Sequence, residues 1–344
     1  MGYIYTPFTS RLENCKVKIL KGELHTEDNS YVSDNDESQV MPLIESTCDD
    51  GWGRVKSHDF FSEVEYPLPK RLKLRYISKM ESRCYDIDTL INDKLAEELW
   101  KKQQKMFPED PFCDVVVGIA PFGVISIWLQ GKTRSVLLQR FQAEEAKLNE
   151  MEQVVYGWMC EPNGYESMNR KELDDMIRQY NVRYVVLEEC WDEEDFSWVE
   201  FDREDLYYDN LDVISVEDIC SDGTFNLSDG DDEQFNYHKA GKPERITVRW
   251  QEDDSELFAH FWFSKVLVSK IYNEFFETDP EVRTDFIIRL DAKNQMFQLA
   301  LKREGESEVS IIPNYTYQLI VFSDDTEIYR STNYRLEPGQ WSWW

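Results

Sequence analysis

Apolar and polar residues alternate strictly in Arg71–Tyr76, where Leu72, Leu74 and Tyr76 are separated by Arg71, Lys73 and Arg75. Successive strand side chains point to opposite faces, so this pattern predicts a half-buried strand. Glu81–Ile87 reads as its antiparallel neighbour. The period then changes. Ile91, Leu95 and Leu99 recur every four residues and predict a helix over 92–106, with Asn92 or Asp93 as N-cap. Pro108 and Pro111 bar its continuation. Val115–Ile119 is continuously apolar, as in a strand covered on both faces. Ala120-Pro121-Phe122-Gly123 supplies a tight turn, Val124–Leu129 runs back, and Leu137–Phe141 adds a strand.

The same order returns downstream. Arg245–Trp250 buries Ile246, Val248 and Trp250, and Glu256–Phe263 pairs with it. Ser264 caps a helix whose Leu267, Ile271 and Phe275 share a face, and Asp279-Pro280 ends it. Phe286–Leu290 and Met296–Lys302 form the closing hairpin, and Tyr315–Phe322 adds a strand. Pro69, Asp114 and Ile125 recur as Pro243, Asp285 and Phe297, at offsets of 174, 171 and 172 residues. A register held over three segments marks a duplication. A helix laid on an antiparallel sheet buries both apolar faces. The expected class is therefore α+β: two tandem strand-strand-helix-strand-strand lobes with antiparallel sheets, joined by an acidic insert. The expected division is an N-terminal lobe over 1–143, the insert over 144–240 and a C-terminal lobe over 241–344. Within the insert, Lys171–Tyr180 reads as a helix and Arg183–Leu187 as a strand.

Charge narrows the partners. The net charge of −30 supplies no basic footprint for nucleic acid and disfavours an anionic membrane surface, while it favours steering toward a basic protein. No apolar stretch reaches the roughly 20 residues that span a bilayer. The seven cysteines include no C-x-x-C pair and read as reduced thiols. No signal peptide opens the chain as written, so the expected compartment is the cytoplasm; a start upstream would instead place it in the periplasm or on the outer membrane as a lipoprotein.

Candidate chemistry is sparse. The sequence holds no G-x-S-x-G elbow, H-E-x-x-H pair, Walker loop or dinucleotide turn. Gly118–Gly123 carries glycines, but Pro121 removes an amide that a phosphate needs, so a structural turn is expected. Asp86 and Asp88 face one side of a strand and could share a proton or hold a divalent ion; a solvated outer face accounts for them equally. His260, inside the aromatic run Phe258–Phe263, reads as a satisfied core or edge histidine. No catalytic residue, metal ligand or cofactor is assigned, and the chain is read as a non-enzyme. A hydrolase using Asp86 and Asp88 beside His238 or His260 is the least favoured reading.

The binding candidates are aromatic and acidic. Trp128 lies on the strand face opposite Ile125, Ile127 and Leu129, either covered by the insert or open to a partner. Trp341 and Trp343 pose the same question at the end of the chain. Glu188, Glu189, Trp191, Asp192, Glu193, Glu194, Asp195 and Trp198 combine carboxylates that speed encounter with a basic partner and aromatics that supply contact area.

Gly51-Trp52-Gly53, Leu68–Tyr76, the G-I-A-P-F-G-V-I-S-I-W-L-Q-G run ending at Gly131, and Arg140-Phe-Gln-Ala143 together resemble the bacterial family called domain of unknown function 2931. Many members are envelope lipoproteins, and some neighbour antibacterial secretion effectors. The family has no established catalytic residues, so none is carried over. The resemblance implies an immunity protein that binds and neutralises a toxin or effector. An envelope-associated module that binds glycan or cell-wall material through exposed tryptophans is the alternative.

Overall fold

The computed structural model describes residues 2–11, 15–26, 40–45, 52–55, 65–159, 169–186, 211–229, 237–252, 254–290 and 297–331. The chain divides into two compact units, Met1–Asp174 and Asp175–Trp344. The division falls inside the segment read from sequence as an insert.

The first unit runs β1 (Tyr3–Ile4), β2 (Thr6–Arg11), β3 (Val17–His25), β4 (Val40–Pro42), β5 (Ile44–Glu45), β6 (Glu65–Tyr66), β7 (Arg71–Ser78), β8 (Arg83–Leu90), α1 (Asp93–Met106), β9 (Asp114–Ala120), β10 (Val124–Gln130), β11 (Ser135–Gln142), β12 (Glu144–Ala146) and α2 (Glu150–Met159). Helix α3 (Arg170–Ile177) carries the division. The second unit continues with β13 (Tyr180–Val186), β14 (Leu211–Cys220), β15 (Phe225–Asp229), β16 (His238–Ala240), β17 (Pro243–Glu252), β18 (Ser255–Phe263), α4 (Lys265–Phe275), β19 (Thr284–Leu290), β20 (Phe297–Arg303), β21 (Ser310–Ile312), β22 (Tyr317–Ser323) and β23 (Thr326–Arg330).

The α+β expectation is overturned. Strands make up 55% of the described residues and helices 19%. Each unit holds two large sheets, and the all-antiparallel expectation also fails: β2 runs parallel to β9, and β13 to β19. The strands that sequence missed, β2 (Thr6–Arg11), β14 (Leu211–Cys220) and β15 (Phe225–Asp229), lie in short or polar segments whose periodicity is weak beside that of β7 and β17, while β13 reads from sequence as a strand of the insert and not as a partner of β19.

The sheets of the two units correspond. In the first unit the orders are β5-β2-β9-β10-β11 and β4-β3-β7-β8-β12; in the second they are β16-β13-β19-β20-β21 and β15-β14-β17-β18-β22, the last extended by β23. Apolar faces of both sheets bury one core in each unit. Leu72, Leu74 and Tyr76 of β7 join Val115, Val117 and Ile119 of β9 and Ala96 and Trp100 of α1 in the first. Ile246, Val248 and Trp250 of β17 join Phe286 and Ile288 of β19 and Val268 and Tyr272 of α4 in the second. The caps form as expected: Asn92 Oδ1 accepts from Leu95 N at 3.1 Å, and Ser264 Oγ from Leu267 N at 3.4 Å.

Strand register exposes one break in the apolar rule. Leu24 of β3 lies opposite Leu72, and Asp218 of β14 lies opposite the equivalent Ile246. Asp218 is 2% exposed, and its Oδ1 has no hydrogen-bond partner. Burial pushes its carboxyl up to about 7. Cys220 Sγ lies 3.7 Å from Oδ2, and Tyr184 OH lies 3.3 Å from the same sulfur.

Candidate functional site

Equivalent outer faces of the two units carry different chemistry. In the first unit β7 presents Arg71, Lys73 and Arg75, and β8 presents Asp86 and Asp88 across from them, with Arg75 opposite Asp86 and Lys73 opposite Asp88. Arg75 Nη1 donates to Asp86 Oδ2 at 2.9 Å, and Arg71 pairs with Asp88. Arg71 holds the Asp88 carboxyl below its usual range. Helix α2 closes part of this face. Glu152 accepts from Arg75 Nε at 2.7 Å and from Nη2 at 2.8 Å, and the guanidinium pulls its carboxyl down to about 2. The two aspartates are thus arginine partners, not a proton-sharing pair.

In the second unit the arginines persist and the aspartates do not. Arg245, Thr247 and Arg249 of β17 face Trp262, His260 and Phe258 of β18 in the same register. These residues line a groove of about 330 Å³ together with Glu217 of β14, Leu227 of β15 and Asp325 of the β22–β23 turn. Arg245 pairs with Glu217 and stacks over Trp262 at 5.2 Å; Arg249 donates to Glu256 Oε1 at 2.8 Å and stacks over Phe258 at 4.8 Å. Aromatic faces attract cations, so ring and carboxylate together hold each guanidinium in one orientation. Between them Thr247 Oγ1 and His260 Nδ1 share a hydrogen bond of 2.8 Å. Burial, then the two arginines, push His260 down to about 4, so its imidazole is neutral at pH 7. The groove is an aromatic floor with two oriented cations and a neutral donor–acceptor pair.

Trp128 serves the fold. It is fully buried, and Trp52 meets it edge-on at 5.2 Å. Gly118 lies beneath both rings, where any Cβ would collide with them. Gly53 N donates to Ser10 Oγ at 2.9 Å, and Gln130 exchanges hydrogen bonds with the Val55 backbone at 3.1 and 2.6 Å. The Trp52–Val55 segment is therefore a lid over the second face of β9 and β10, which are buried along their whole length. In the Pro-Phe-Gly turn, Phe122 has φ 62° and Gly123 φ 75°, and Glu81 Oε1 accepts the Phe122 amide at 2.8 Å.

The acidic and aromatic residues Glu188, Glu189, Trp191, Asp192, Glu193, Glu194, Asp195 and Trp198, with Trp341 and Trp343, lie outside the described residues. His238 ends up at an edge strand, its ring 5.9 Å from that of Tyr184, and does not line the groove. Among the described residues no three His, Cys, Asp or Glu side chains form a metal-ligand cluster, and no helix is long and apolar enough to cross a membrane. Sequence reasoning passed over the groove because the run Phe258–Phe263 is aromatic on both faces and hides its own alternation. The alignment of the two copies holds the missing signal, since it sets Phe258 and His260 against Asp86 and Asp88.

No curated protein and no solved structure matches this chain. A family model described as protein of unknown function (DUF2931) matches residues 12–184, just over half of the 344. That match takes in the lid, the glycine under the two tryptophans and the Pro-Phe-Gly turn, and the chain belongs to the DUF2931 family.

Proposed function

We propose that this chain is a non-catalytic protein-binding module, an immunity protein that neutralises a secreted antibacterial effector. One observation carries the reading: the groove of the second unit is built from arginines stacked on aromatic rings, the residue types that dominate binding energy at protein interfaces. Around it Arg245 pairs with Glu217, Arg249 pairs with Glu256, and His260 shares a hydrogen bond with Thr247. The net charge of −30 supports a basic partner, because long-range attraction raises the encounter rate.

The test is co-purification of the tagged full chain from its host, followed by reconstitution. One dominant basic protein is expected, its toxicity suppressed when the two are co-expressed and restored by Arg249→Ala. A host that yields no dominant partner, or a partner whose toxicity the chain leaves unchanged, refutes the reading.

A further inference from the structure

The duplication offers an internal control for the groove. The first unit shows where carboxylates belong on this face: Asp86 and Asp88 sit across the strand pair from Arg75, Lys73 and Arg71. In the second unit the corresponding positions hold Phe258 and His260. The guanidiniums remain, and their present acids come from elsewhere, Glu217 from β14 and Glu256 from the start of β18. A face that supplied its own central carboxylates has become one whose central acids are replaced by a ring and a neutral imidazole.

We infer that the groove binds a small aromatic carboxylate, whose carboxyl group is held between Arg245 and Arg249, on the face where the first unit carries its aspartates. Arginine forks match carboxylates in a bidentate fashion, and both guanidiniums are already oriented by Trp262 and Phe258. The Thr247–His260 pair lies between the two arginine pairs in the strand register and offers one more donor, the Thr247 hydroxyl or the His260 Nε2–H according to the tautomer. Phe258, held in place by stacking on Phe322 at 4.7 Å, and Trp262 give the ligand's ring aromatic surface within the groove. A volume of about 330 Å³ lies at the small end of ligand sites. This inference uses the same groove as the protein–protein reading but concerns a ligand that needs no second protein, so benzoate binding and toxin suppression can fail independently.

Benzoate is the probe, followed on the full chain by calorimetry and by the His260 ring resonances. Saturable millimolar binding is expected, at least tenfold tighter than acetate, with benzyl alcohol giving no signal. Arg249→Gln, at a side chain 43% exposed, leaves the fold intact and should weaken benzoate at least tenfold. His260→Asp, which rebuilds the acid of the first unit, should abolish binding by supplying a carboxylate internally. The inference is overturned by benzoate that fails to saturate at tens of millimolar, by unchanged affinity in Arg249→Gln, by equal binding of benzyl alcohol, or by a response to inorganic phosphate with benzoate silent.

Discussion

Replacing Asp218 by asparagine should stabilise the second unit, and by an amount that depends on pH. The carboxyl is buried in a place where the first unit has Leu24, and it titrates at about 7 instead of 3.8. Three pH units at about 1.4 kcal/mol each give about 4 kcal/mol between the protonated and ionised cores. The sign is opposite to that of a paired acid. The folded state holds its proton more tightly than the unfolded chain, so stability present below the unfolded pKa is lost as pH rises from about 4 through about 7. Asparagine keeps the shape and cannot ionise. Urea unfolding at pH 5, 6, 7 and 8 should show the advantage of Asp218→Asn growing by about 1.4 kcal/mol per unit up to pH 7 and levelling above it. A gap that is constant over this range, or one that shrinks as pH rises, would show that the carboxyl is not desolvated and would refute the reasoning.

Three other substitutions test the first unit and α4. Gly118→Ala drives a methyl into Trp128 and Trp52 and should cost about 1–3 kcal/mol, read as a lower thermal midpoint. Glu152→Gln breaks the two-point grip on Arg75 and should cost about 1–3 kcal/mol at pH 7. Because the folded carboxyl titrates near 2, that difference should vanish as pH falls from 4.5 through about 2, which unfolding at stepped acid pH will show. Ser264→Ala removes the cap of α4 and should cost about 1 kcal/mol by denaturant unfolding.

Strong local periodicity was legible in the sequence. The alternation of Leu72, Leu74 and Tyr76, the four-residue spacing of Leu95 and Leu99, and the unbroken Val115–Ile119 each gave an element of the right type. Edges and openings of units were not. Strand β14 carries Glu217 and Asp218 side by side, and Asp218 points into the core, so its pattern argues against burial where burial occurs. Trp128 was placed on the correct strand face, but its cover, Trp52, lies 76 residues earlier and no local pattern links the two. The groove depends on which residue lies opposite which across β17 and β18, a relation set by pairing register and not by either strand alone.

The parallel pairings have a consequence for synthesis. β2 spans Thr6–Arg11 and lies beside β9, which begins at Asp114; Val182 of β13 lies beside Thr284. Each strand therefore leaves the ribosome about a hundred residues before its mate exists. At roughly 5–20 residues per second, it waits on the order of 5–20 s with the edge that will meet that mate open to any other nascent strand. Slowing translation just upstream of Asp114 would prolong that exposure, whereas the hairpins β7–β8 and β17–β18 close almost as soon as they emerge.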